Sequence, residues 1–98
     1  MKEVQPGQKF DLSIQESARL ANSTLVVMNK NVVRLRPVKN SDQFILTLVL
    51  SEGKKTGEIS RDGEYRFPSD DVKLEWNGHV IVVADIDYMA RFVSLIIK

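Results

Sequence analysis

Cysteine is absent from the chain, and histidine and tryptophan each occur once. Without cysteine there is no disulfide framework, no thiol chemistry and no thiolate zinc site. A single imidazole, His79, leaves little for metal ligation or a catalytic triad, and no Gly-x-Ser-x-Gly surrounds any serine. The five glycines are scattered and form neither Gly-x-Gly-x-x-Gly nor a P-loop. Long apolar runs are also missing. The longest is Val80 to Ala84, far short of a membrane-spanning helix. The opening residues, Met1 to Gln8, carry no apolar stretch of the signal-peptide kind, so a cytoplasmic location is expected.

Net charge is +1, so no bulk field draws the chain to nucleic acid or membrane. The charge is unevenly spread. Residues 1–55 hold nine Lys/Arg against five Asp/Glu, and residues 56–98 hold five against eight. Hydrophobic residues make up 43% and charged residues 28% of the 98. That composition belongs to one soluble globular domain rather than to a disordered segment. Residues 1–98 are read as that domain, with residues 1–8 as a loose lead-in before the structure proper. No cofactor, metal ligand set or catalytic group is indicated, which points away from an enzyme.

Alternating apolar and polar residues give the organisation. Phe10, Leu12 and Ile14 alternate with polar neighbours as a half-buried strand. Ser13-Ile14-Gln15-Glu16 matches a capping box, so residues 14–21 read either as a short helix or as a strand continuing through a bulge. Thr24–Met28 and Val32–Val38 read as a hairpin about Asn29-Lys30-Asn31, with Pro37 making the second strand an edge or ending it. Gln43–Leu50 is the strongest strand signal. A turn at residues 51–55 leads to a weak strand over Thr56–Ser60. Arg61-Asp62-Gly63 reads as a tight turn before Tyr65 and Phe67. Val72, Leu74 and Trp76 alternate again, Asn77-Gly78 is a hairpin turn, and His79–Ala84 returns. Residues 86–97 fit both a helix N-capped by Asp85 and a final strand; the β-rich context favours the strand. The fold class expected is mainly β, a small antiparallel sandwich or partly open barrel with at most one or two short helices. The alternative is α+β with a C-terminal helix covering the sheet.

Several strands are apolar on both faces. Phe44, Leu46, Leu48 and Leu50 alternate with Ile45 and Val49, and only Thr47 breaks the pattern. A sheet with two apolar faces needs a cover on each, either a helix or another protein surface. This favours an interaction or structural module that self-associates, as a homo-oligomer, or docks a protein partner. The second expectation is an OB-like single-strand nucleic-acid binder. Its anion contacts would be Arg34, Arg36, Lys39, Lys54 and Lys55, set against an exposed aromatic residue. Asp70-Asp71 and the pair Asp85 and Asp87 read as turn and cap residues rather than as cation ligands.

Overall fold

The computed structural model describes residues 1–38, 41–67 and 69–98; of residues 36–38, 41 and 42 it describes the backbone only. Among the described residues there are nine strands and no helix. They are β1 (Lys2–Val4), β2 (Lys9–Ser13), β3 (Ser17–Leu20), β4 (Val26–Val38), β5 (Ser41–Glu52), β6 (Lys55–Tyr65), β7 (Val72–Trp76), β8 (His79–Asp87) and β9 (Phe92–Ile97). One sheet has the order β1-β3-β4-β5-β6 and the other β2-β9-β8-β7. All pairs are antiparallel except β1 with β3. The two sheets do not close into a barrel, so of the expected architectures the small β-sandwich is the one formed.

Period two decides which side chains meet between the sheets. Val27, Val32, Phe44, Leu46, Leu48 and Leu50 supply one wall of the core. Phe10, Leu12, Leu74, Ile81, Val83, Ile86, Val93, Leu95 and Ile97 supply the other. Strands of 13, 12 and 11 residues make β4, β5 and β6 a long ribbon. At about 3.4 Å per residue, the 12 residues of β5 span roughly 40 Å. That matches the 42 Å long axis of the molecule. Past the shorter second sheet, the ribbon is lined by an aromatic group. Phe44 packs on Tyr65, Phe67 and Tyr88 with ring centroids 5.3, 5.4 and 6.1 Å apart.

Five local expectations are corrected. Residues 14–21 form no helix: the chain turns at residues 14 and 15 and crosses to the other sheet as β3. The capping-box contact still exists, since the Ser13 N–H donates to the Glu16 carboxylate at 3.0 Å, but it closes a turn with Gln15 at φ 68°. Asn29-Lys30-Asn31 is not a turn either. It lies inside β4, where the register slips by one residue as in a β-bulge. The cause is tertiary. The Asn29 side chain is fully buried and donates Nδ2 to the Leu12 carbonyl at 3.0 Å, and its backbone bonds Gln15 and Glu16. Arg61-Asp62-Gly63 also stays extended, so Thr56–Ser60 and Tyr65 belong to one strand, β6. At Gly63 the Tyr65 ring occupies the space of a side chain, with Cε2 only 2.5 Å from where a Cβ would stand. Residues 2–4 are no loose lead-in but pair with β3 from Lys2↔Ala18 to Val4↔Leu20. The strand favoured within residues 86–97 is present as β9 (Phe92–Ile97), and the alternative of a C-terminal helix covering the sheet is not formed. Asp85 is no helix cap but sits beside the β8 bulge, where its carboxylate accepts the Ile86 N–H. Asp87 accepts the N–H groups of Met89 and Ala90, both at 2.9 Å, and so forms the β8–β9 turn.

The outer face of the long ribbon is less exposed than its sequence implies. Ile45 and Val49 point outward and are half-buried, while Thr47 between them is buried. Thr47 and Ser60 share a hydroxyl hydrogen bond of 2.8 Å. Lys30 reaches across to Glu58 at 3.2 Å on the same face. Among the described residues, only Met1, Leu35 and Met89 are large apolar side chains standing in solvent.

Candidate interaction surface

Of the five basic residues expected as one anion-binding group, Arg34, Lys54 and Lys55 have described side chains, and Arg34 stands far from the other two. Arg34 registers with Phe44 and Lys55 with Glu52, eight residues apart along β5, about 27 Å. Arg34 lies over the Tyr88 ring, 5.6 Å from its centroid. Lys55 donates to Asn77 Oδ1 at 3.0 Å and lies over the Trp76 ring. Lys54 is exposed in the β5–β6 turn. The backbone of Arg36 registers with Gln43, and Lys39 lies outside the described residues. The aromatic residues are equally committed. Phe10 and Phe44 are buried, and Tyr65, Phe67, Trp76 and Tyr88 pack against the core. A stacking platform needs open ring faces beside a continuous basic track; among the described residues these rings are buried or partly buried, and Arg34 and Lys55 lie on different ones.

His79 opens β8, directly after the Asn77-Gly78 turn. Asn77 (φ 50°) and Gly78 (φ 82°) give the turn its two left-handed positions. His79 Nε2 lies 2.9 and 3.0 Å from the two Glu52 oxygens, and Asn77 Nδ2 donates to Glu52 at 2.6 Å. The network ties the β5–β6 turn of one sheet to the β7–β8 turn of the other. The His79 hydrogen bond is the main reason the Glu52 carboxyl lies below its ordinary pKa. Partial desolvation opposes it, and Asn77, the His79 charge and Lys55 reinforce it. No hydroxyl or thiol nucleophile takes part in these contacts.

A shallow open groove beside β1 and β2 is lined by Lys2, Lys9, Asp11, Asp85, Phe92 and Ser94, among others. Several of its polar groups already satisfy one another. Lys2 Nζ donates to the Asp11 carbonyl at 2.7 Å, and Ser94 donates to the Asp11 carboxylate at 2.5 Å. No group of three or more His, Asp or Glu side chains among the described residues is placed to hold a metal ion.

What sequence reasoning missed is an edge. β6 ends its sheet, with β5 on one side and, among the described residues, no strand on the other. Its eleven residues pair with β5 without a register break, from Glu52↔Lys55 to Asp42↔Tyr65. A row of backbone donors and acceptors therefore faces outward along its length. The register with Ile45 and Thr47 puts Thr56, Glu58, Ser60, Asp62 and Glu64 on the outer face. Glu58 is paired with Lys30, whereas Asp62 and Glu64 have no ionic partner among the described residues. The misleading signal was Arg-Asp-Gly, read as a turn, which cut this edge in two. No helix among the described residues is long and apolar enough to cross a membrane. No protein-family model, curated protein or solved structure matches the chain.

Proposed function

We propose that the domain is a non-enzymatic interaction module that docks an extended protein strand along the outer edge of β6. The observation that carries this reading is the unbroken ladder of β6 with no further strand beyond it among the described residues. An extended chain added there gains main-chain hydrogen bonds along the edge, and alternate side chains set specificity. The other free edges offer less. β1 has three residues, and β2 and β7 have five each. Past Met28, β4 has a neighbour on one side only, but that stretch carries two register breaks and Pro37.

The outer row of β6 holds acids at Glu58, Asp62 and Glu64, so a docked strand must keep acids of its own from standing directly opposite them, and bases there are favoured. A synthetic peptide of alternating lysine and threonine tests this. Added at millimolar concentration, it is expected to slow amide hydrogen exchange in β6 and leave β2 and β9 unchanged. Equal exchange in β6 with and without peptide would remove the edge as a docking surface.

A further inference from the structure

Resting on that reading, we infer that the strand β6 takes is β6 of a second copy, paired antiparallel about a twofold axis at Ile59. A twofold axis perpendicular to the sheet keeps both outer faces on one side, so residues opposite each other share a face. Three registers of this kind leave most of β6 paired: those centred on Ile59, Ser60 or Arg61. About Ser60, Glu58 stands opposite Asp62. About Arg61, Glu58 stands opposite Glu64 and the two Arg61 side chains face each other. Like charges directly opposite are destabilising. About Ile59 none meet: Glu58 faces Ser60, Thr56 faces Asp62, and Lys55 faces Gly63. One residue beyond the strand, Lys54 stands opposite Glu64 twice, once at each end. Glu64 gains an ionic partner, which it lacks among the described residues.

The inner face fits the same register. Arg61 points inward opposite Leu46, is exposed, and makes no ion pair among the described residues. An inward charge of this kind ordinarily deters edge pairing. In the Ile59 register it stands opposite Gly57 of the second copy. There the space of a side chain is filled by the Trp76 indole, which reaches over from β7. The guanidinium thus meets an aromatic ring, a favourable partner for a cation. The product joins the two five-stranded sheets into one continuous ten-stranded sheet. It also gives Lys54, one of the basic residues picked out in the sequence, a charged partner.

The test is sedimentation equilibrium of the full chain from micromolar to millimolar concentration. Wild type is expected to dimerise. Lys54→Glu and Glu64→Lys each place like charges at both ends of the ladder, and each alone should weaken the dimer about tenfold. Both sites are exposed, so the variants keep the fold, checked by circular dichroism. Mixed one to one, the two variants restore opposite charges at both ends and should form a heterodimer near wild-type strength. A wild-type chain that stays monomeric at millimolar concentration overturns the inference. The docking reading then stands or falls on the lysine–threonine peptide. A dimer that neither variant weakens, or variants that do not complement, overturns the Ile59 register.

Discussion

Gly57→Ala probes how the sandwich closes at one end. Gly57 pairs with Leu50 on β6, and its inner side is filled by the Trp76 ring from the opposite sheet. An added Cβ would overlap Trp76 Nε1, with Cε2 at 3.0 Å and Cδ1 at 3.3 Å. All three atoms belong to one rigid ring, so the ring must move as a body. Forcing a methyl into such a contact costs about 1–3 kcal/mol. Replacing glycine by alanine returns about 0.4–1 kcal/mol through the unfolded chain. Trp76 is only half-buried, so the ring has a way outward, which limits the cost. The net expectation is a loss of about 1–2 kcal/mol. At this chain length that lowers Tm by roughly 4–8 °C per kcal/mol. The assay is urea unfolding at low protein concentration, in wild-type and Trp76→Ala backgrounds. With the indole gone, Gly57→Ala should become neutral or stabilising, giving a coupling of about 2 kcal/mol between the two sites. Equal effects of Gly57→Ala in both backgrounds would refute the closure.

Four further predictions concern the core, the outer face of β5 and one surface network. Leu46→Ala, inside the sandwich, should cost about 3 kcal/mol in chemical denaturation. Val49→Ala on the half-covered outer face should cost about 1 kcal/mol, and a neutral Val49→Ala would mean the half-burial of that face contributes nothing to stability. Asn29→Ala loses the Nδ2 bond to Leu12 and opens a buried gap. It should destabilise by about 2 kcal/mol and speed amide exchange at Gln15, whose N–H bonds the Asn29 carbonyl. Glu52 titrates below its ordinary value in the fold, so its charge stabilises above the unfolded pKa and ceases to do so as pH falls through the lowered one. Wild type should therefore be more stable than Glu52→Gln near neutral pH, and the gap should close in acid. A gap unchanged across that range would contradict the His79 contact.

Much of the fold was legible because burial follows period two. Phe10 and Leu12, Phe44 through Leu50, and Val72 through Trp76 each announced a strand and its inner face. Asn77-Gly78 announced its turn because both positions carry positive φ. The errors share one cause: a local turn or cap signal gave way to contacts distant in sequence. Asn29 stays extended because its amide is spent on Leu12, seventeen residues back. Arg61-Asp62-Gly63 stays extended because it is zipped to Leu46, Ile45 and Phe44, with Gly63 making room for Tyr65. The two-sided apolar pattern of β5 was real, but sequence does not say that a Lys30–Glu58 ion pair and a Thr47–Ser60 hydrogen bond lie on its outer side. The β6 edge was invisible for a related reason. Strand order is a property of the whole sheet, and nothing local to Lys55–Tyr65 marks it as last.

The most direct test of the account is residue-resolved amide hydrogen exchange of the wild-type chain at micromolar and millimolar concentrations. The β6–β6 ladder predicts that exchange in Thr56–Gly63 slows with concentration at alternate residues, those whose N–H groups face away from β5, while β7 and β2 do not change. Exchange along β6 that is fast and independent of concentration would contradict it.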